Sequence, residues 1–355
     1  MTNLLNTITQ LSHEFGSDEY VKAGGGNTSC KTDDTLWVKP SGTTLAALTP
    51  QGFVAMDRAR LSELYGAQTP SDATAREELV KNIMAAAVKP ETPGRASVEA
   101  PLHDSLTARF VVHTHPMAVN GMTCAVGGSA AVMRLFPDAL WVPYTDPGYT
   151  LCMVVREAIR DYQSQHGCEP GLIFLENHGV FVSGDTAEEV RALYARVMQT
   201  LADAYKTAGV DANLPEDPPP KAAEVAAWHA QLTKALGADA NAIAAAGRFE
   251  VGNGPISPDH IVYAKSYPYE GVLTVDNLRA FQYVRGYAPR VIVTDSAVLG
   301  IGASDKVARL ALELARDGAG VKRLARAFGG LRYLSDRSRG FIENWEVESY
   351  RAKQV

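Results

Sequence analysis

The apolar positions change period several times along this chain, and each change marks an element. Residues 2–16 carry Leu4, Leu5, Ile8, Leu11 and Phe15 at the spacing of one helix face, so they read as an opening amphipathic helix. Tyr20-Val21-Lys22-Ala23, three glycines (Gly24 to Gly26) and Asn27-Thr28-Ser29 read as strand, tight turn and strand. Thr35 to Lys39 alternates and is rich in β-formers; it ends at Pro40-Ser41-Gly42-Thr43, a turn by composition. Residues 73–87 read as helical and 90–97 as a loop. A helix predicted from Val98 to Ala108 leads into Phe110-Val111-Val112, a short buried strand. Trp141 to Tyr144 reads as a strand and 149–165 as a helix. Gly171 to Leu175 is again an apolar strand, followed by Glu176-Asn177-His178-Gly179 and Val180-Phe181-Val182. Thr186 is a plausible N-cap for a helix reaching to about residue 207. Strands and helices of these lengths in alternation predict a layered α/β domain.

Residues 211–221 (DANLPEDPPPK) hold four prolines and cannot continue a helix. They divide the chain into a domain at 1–210, a linker at 211–221 and a smaller α/β extension at 222–355. The extension opens with an Ala-rich helix. It then shows a strand-like RVIVTD, a turn at Gly300-Ile301-Gly302 and a helix at 304–316. The residues after Gly300-Ile301-Gly302 are too few for a dinucleotide-binding βαβαβ unit.

Of the 355 residues, 46% are hydrophobic and 21% charged, ordinary globular usage that supplies a sizeable core. The formal net charge of −6 argues against a nucleic-acid partner, which needs a clustered basic surface. It does not exclude an anionic substrate, since backbone N–H groups can build a local site. Cys30, Cys124, Cys152 and Cys168 form no CxxC pair. No signal peptide and no membrane-length apolar run is legible, so a cytoplasmic protein with reduced thiols and no membrane partner is expected.

Chemistry concentrates at the ends of two apolar strands. His113 and His115 lie two apart, so on extended chain both imidazoles project to one face and can share an ion. His178 ends a second strand in the same way. Three imidazoles and an open position make the pattern of a catalytic metal site rather than a closed structural one. Glu99 begins the segment feeding the first of these strands. There a carboxylate serves as ligand, as proton-transfer group, or simply as an acidic residue of a first helical turn.

Six blocks in order carry a resemblance: GGGNTSCK at 24–31, KPSGT at 39–43, SVEAPLH at 97–103, VVHTHP at 111–116, PYTDPGY at 143–149 and LENHGVFVSG at 175–184. They resemble the class II aldolase/adducin family, which includes fuculose-phosphate and rhamnulose-phosphate aldolases and ribulose-phosphate 4-epimerase. The likeness spans roughly residues 5–207. SPDHIVYAK at 257–265, VLGIGAS and FIENWEVESYR are similar to the aldolase portion of long rhamnulose-phosphate aldolases fused to a short-chain dehydrogenase.

The resemblance implies a three-layer α/β/α domain with a mostly antiparallel central sheet. It implies that His113, His115 and His178 hold a divalent metal, zinc before manganese or cobalt. It makes Glu99 the general base and Tyr144 an acid that often reaches across a subunit interface. Gly26, Asn27, Ser41, Gly42 and Ser97 match the pocket for a substrate phosphate. Where the family has a serine pair before the glutamate, this chain has Ser97-Val98; Arg95 or Lys39 would have to supply the missing contact. His103, one turn after Glu99, is a possible orienter of the glutamate. Asp259, His260 and Lys265, in a strand-like segment, are possible accessories that close over the site or select the sugar tail.

The activity implied is aldol cleavage or formation of a ketose, as a ketose 1-phosphate, through an enediolate. A 4-epimerase and a 3-keto acid phosphate decarboxylase of the same family are alternatives, and so is a non-catalytic adducin-like interaction protein. A small-molecule sugar partner and a homo-oligomer, most often a tetramer, are implied with it.

Overall fold

The structure is a computed structural model that describes residues 2–92 and 94–345. Part of the FIENWEVESYR block therefore lies outside the described residues. Two compact units are present. One comprises the chain up to Val119 together with Gly128–Asp203, the other Asn120–Gly127 together with the chain from Ala204 onward. A linear division at the prolines misses the piece that the second unit takes from the middle of the first.

In the first unit the strands are β1 (Asn27–Lys31), β2 (Thr35–Val38), β3 (Val54–Asp57), β4 (Phe110–Thr114), β5 (Leu140–Val142), β6 (Leu172–Leu175) and β7 (Gly179–Gly184). They form one sheet in the order β3-β2-β1-β4-β7-β6-β5. Only β5 and β6 pair in parallel; the other neighbours are antiparallel. The expected antiparallel architecture is present.

Side chains alternate across this sheet. Val111, Ile173, Leu175 and Phe181 pack with Leu102, Leu106 and the helix Tyr149–His166 on one face. On the other, the Thr114 hydroxyl meets the Tyr194 hydroxyl at 2.8 Å in the helix Ala187–Thr207. Phe15, just past the first helix Thr2–Glu14, stacks on Tyr194 at 4.1 Å. Helices thus cover both faces. Thr186 caps as expected, accepting from Glu189 N while Glu189 Oε2 accepts from Thr186 N.

Several expectations are corrected. Tyr20–Ala23 is not a strand but a turn: Ala23 has φ 49°, and the Tyr20 carbonyl accepts from His115 N. The helix predicted at 98–108 is only Ala100–Ser105, with Glu99 at its N-cap. β3 and the helices Arg58–Gly66, Met117–Thr123 and Gly128–Leu135 were not predicted.

The second unit has β8 (Ala242–Gly247), β9 (Tyr269–Glu270), β10 (Val291–Val293) and β11 (Ala297–Gly302), in the order β8-β11-β10-β9. The helices Ala222–Leu236 and Val275–Arg285 contribute Leu232 and Leu278 to a cluster with Ile292, Leu299 and Ile301. The opposite face of β11 lies against the helix Asp305–Ala325. The Gly300-Ile301-Gly302 turn is therefore corrected to the interior of β11. A Cβ on Gly300 would sit 2.1 Å from the Ala308 carbonyl oxygen, so the glycines are set by helix-on-strand approach. Asp259 and His260 lie in a helix, Pro258–Ala264, with Lys265 at its end, not in a strand. The proline-rich stretch is fastened to this unit: Asp217 N donates to Arg248 O, and Glu216 pairs with Arg316 at 2.7 Å.

Because the Gly300 contact is backbone that cannot swing away, Gly300→Ala should destabilise by ~2 kcal/mol or more. Gly340→Ala, with open space around it in the helix Asp336–Asn344, should leave stability unchanged or slightly raised. Denaturant unfolding of both variants checks the pair; equal midpoints would refute the close packing.

Candidate metal centre

The strand register brings the six motif blocks to one edge of the first sheet. Asn27 stands opposite His113, and His113 opposite Phe181. Leu175 stands opposite Gly179 and beside Val142. The start of β1, the ends of β2, β4, β5 and β6, and the start of β7 therefore meet there.

His113 is fully buried. Its ring stacks on Phe181 at 4.0 Å between centroids, and its Nδ1 lies 2.9 Å from the Val180 carbonyl. A carbonyl can only accept, so Nδ1 carries the proton and Nε2 keeps its lone pair, the form that ligates a metal. His115 continues past the strand and projects to the same side; its Nε2 is 2.9 Å from His113 Nε2. His178 closes the hairpin between β6 and β7. The loop Glu176–His178 has Asn177 at φ 53°, a left-handed position that Asn tolerates better than most residues. Gly179 follows because a Cβ there would sit 2.4 Å from the Thr114 carbonyl and 2.7 Å from the His115 ring. His178 Nε2 ends 3.4 Å from His113 Nε2. One nitrogen from each of the three histidines lies within 4.8 Å of the others. Three imidazole nitrogens crowd one point, and mutual hydrogen bonds cannot satisfy them all. This donor set fits a divalent ion.

Glu99 faces this point. Its Oε1 is 3.4 Å from His113 Nε2 and 3.6 Å from His178 Nε2. Asn27 Nδ2 donates to Glu99 Oε2 at 3.0 Å and also to Ser97 Oγ, which in turn accepts from Glu99 N at 3.2 Å. Burial by itself would raise the Glu99 carboxyl. Positive charge at the His113 and His178 rings, from a proton or from a cation in its place, and the Asn27 amide outweigh it and hold the group well below the ordinary carboxylate range.

His103 lies behind Glu99, fully buried. Its Nδ1 is 2.8 Å from Ser29 Oγ, its Nε2 has no hydrogen-bond partner, and its ring meets Phe181 edge-on at 5.3 Å. Burial pushes its pKa down to about 3, so the ring is neutral at working pH. The helix carrying it is fastened from below by Lys31, whose ammonium donates to the His103 and Leu106 carbonyls.

The remaining expected residues take several places. Gly26 (φ 70°) leaves no room for a side chain: a Cβ would lie 2.8 Å from the His113 carbonyl. Ser41 N donates to Arg95 O, and Gly42 turns at φ 82°. Lys39 is buried and clamps the two glycine-containing turns, donating to Gly24 O at 3.2 Å and Thr43 O at 2.6 Å. Tyr144 follows β5 at the same edge; its N donates to Glu176 Oε2 at 3.0 Å and its hydroxyl to Asp146 Oδ1 at 3.4 Å. Asp259, His260 and Lys265 belong to the second unit. Sequence reading missed Phe181, Ser29 and Lys31. Phe181 was legible only as an apolar strand residue, and Lys31 only as the last letter of GGGNTSCK.

These features define a class: a layered α/β domain that carries a histidine triad beside a carboxylate. The model of the Class II Aldolase and Adducin N-terminal domain family matches residues 6–205, and the chain belongs to that family. Over 192 residues it is 30% identical to a protein of Bacillus subtilis (strain 168) described as "Uncharacterized oxidoreductase YuxG". That alignment covers 51% of this chain and 26% of the other, so the chain spans about a quarter of that relative. Among solved structures, an N-terminal class II aldolase domain from Thermoplasma acidophilum has a TM-score of 0.47 at 24% identity, covering 56% of this chain and 92% of that one. The l-fuculose-1-phosphate aldolase from Thermus thermophilus has a TM-score of 0.38 at 16% identity, covering 57% and 94%. Among the described residues no helix is long and apolar enough to cross a membrane.

Burial lowers the Lys31 pKa from 10.5 to about 7. Between those values the unfolded chain holds a proton that the folded chain has released, so stability rises with pH across that window. Below about pH 7 both states are protonated, and the cost of burying the charge is present in full. The unfolding free energy of the wild type, relative to Lys31→Met, should therefore rise by at least ~1 kcal/mol from pH 7 to pH 10. Parallel pH curves for the two proteins would contradict this.

Proposed function

We propose that the protein is a metal-dependent aldolase that cleaves or forms a carbon–carbon bond of a ketose, as a ketose 1-phosphate. The observation that carries this reading is Glu99 Oε1 poised 3.4 and 3.6 Å from two members of a converging histidine triad. His113, His115 and His178 would hold a divalent ion, zinc before manganese or cobalt. When bound, such an ion supplies Lewis-acid polarisation of a substrate carbonyl.

The chain's own residues do the rest. Glu99 stays ionised and exchanges a proton with the substrate carbon or, in the cleavage direction, with a hydroxyl. Asn27 fixes the carboxylate by one oxygen and leaves the other turned to the triad. Tyr144 is read as the acid that protonates the aldehyde oxygen as the carbon–carbon bond forms, acting from a neighbouring subunit of a homotetramer. Neutral His103 and Ser29 pack the glutamate's helix from behind without adding charge.

The phosphate handle is read more narrowly than the motif implies. Asn27 is committed to Glu99 and Ser97, which leaves the turn at Ser41-Gly42, the Ser97 hydroxyl and nearby backbone as donors. Family membership supports the lyase reading in general. Retention of the triad and of the glutamate disfavours a non-catalytic interaction protein. A 4-epimerase or decarboxylase would use the same residues, and product analysis separates these outcomes. A cytoplasmic location belongs to the same reading.

A panel of ketose 1-phosphates and free ketoses, assayed for aldehyde release, tests the activity. Release from none of them in metal-loaded protein would overturn the aldolase reading. Glu99→Gln should keep metal and fold but lower turnover by ~10²–10⁴-fold, the range of a lost general base. Unchanged turnover would remove Glu99 from that role. His178→Ala should lower metal content measured by atomic emission, and full retention would exclude it as a ligand.

A further inference from the structure

The second unit carries a cleft that takes no part in the candidate metal centre. β8, β10 and β9 run parallel to one another, since β8 and β10 both pair antiparallel with β11 and β9 pairs parallel with β10. Register sets Ala246, Val298, Val293 and Glu270 in one row across the sheet. The carboxyl ends of the three parallel strands therefore share one edge, the place where open α/β sheets hold ligands. A cleft of about 460 Å³ opens there, within the size range of small-molecule sites. Its walls are the segment Arg248–Val251 after β8, Glu270 at the end of β9, Val293 at the end of β10, Lys322 of the helix Asp305–Ala325 and Pro215 of the proline-rich stretch. That stretch is seated on the sheet: a Cβ on Gly247 would collide with the Asp217 carbonyl, so glycine admits it.

The charges on these walls differ in how they are used. Glu250 is taken at 2.9 Å by Lys322 and at 2.9 Å by Arg326, and Lys322 also donates to the Val251 carbonyl at 3.1 Å. Those groups neutralise one another. Arg248 and Glu270, both exposed, are left over. Among the described residues the Arg248 guanidinium donates only to the Asp295 carbonyl, at 3.4 Å, and meets no carboxylate, while the Glu270 carboxylate meets no cation. They belong to opposite edges of the four-stranded sheet, about 14 Å apart at three strand spacings, so they stand on opposite walls without pairing. An anion alone would meet the Glu270 charge, and a cation alone the Arg248 charge. A ligand that carries both signs satisfies each. Phe249 on the wall is buried, which leaves little ring face for stacking a neutral sugar.

We propose that this cleft binds a small zwitterion of the amino-acid type, with Arg248 as the partner of its carboxylate and Glu270 as the partner of its ammonium.

Ligand-observed NMR titration of the full chain decides. The probes are L-norvaline and 5-aminopentanoate, isomers that differ only in where the ammonium sits on the chain. At least one of them should bind saturably. Pentanoate and pentylamine, each with a single charge, and neutral D-xylose should bind about tenfold more weakly or less. Arg248→Gln and Glu270→Gln alter exposed side chains, so both should fold as the wild type does, and each should weaken the bound isomer by about tenfold or more. His178→Ala should bind it unchanged, which separates the cleft from the candidate metal centre. Saturable binding of neither isomer, equal binding of a singly charged analogue or of xylose, unchanged affinity in either cleft variant, or loss in His178→Ala would each overturn the proposal.

Discussion

The antiparallel register between β1, β4 and β7 is the constraint on which the candidate centre depends. It sets Asn27, His113 and Phe181 side by side across three strands. Since strand side chains alternate, a slip of one residue in β4 would turn His113 away from Glu99 and into the layer held by Tyr194. Buried valines on both faces resist that slip. Val111 packs toward the helix Tyr149–His166, and Val112 lies on the Tyr194 side, where its carbonyl accepts from the Tyr194 hydroxyl at 3.3 Å. The imidazole is oriented as much by apolar packing as by hydrogen bonds: Phe181 lies against its face, and the Val180 carbonyl fixes its tautomer.

Glu99 owes its position to a different device. The short helix that it caps is held at its far end by a buried lysine and at its near end by Asn27 and Ser97. The residues that the family motif associates with substrate phosphate are therefore partly spent on the glutamate. Lys39 shows the same economy. The sequence offers it as a substitute contact for the substrate phosphate, but it is buried and joins the Gly24 and Thr43 turns. At this edge the charged side chains of Lys31 and Lys39 bind backbone carbonyls, while the Asn27 amide binds side-chain oxygens.

Much of the first unit was legible in the sequence. The alternating run at 35–39 marked β2, the short continuous apolar runs marked β4, β6 and β7, and the His-x-His spacing on extended chain gave the pair whose third member ends a matching strand. What failed did so for physical reasons. Tyr20–Ala23 has strand-like residues, but the close approach of Gly26 to His113 forces a turn. The glycines of β11 look like a turn and instead admit a helix. β8, AIAAAG, has the composition of a helix and is a strand because β11 pairs along its whole length. Asp259 and His260 sit on one helical turn after Pro258, where proline at a helix start outweighed the β-branched residues that follow.

The central claim is that His113, His115 and His178 form one metal-binding centre next to Glu99. X-ray absorption spectroscopy of the purified, metal-loaded protein tests it most directly. The account predicts one ion per chain with an imidazole-rich nitrogen and oxygen shell at about 2.0–2.1 Å if the metal is zinc, and loss of imidazole scattering in His178→Ala. A sulfur-ligated ion, or imidazole scattering unchanged in that variant, would contradict it.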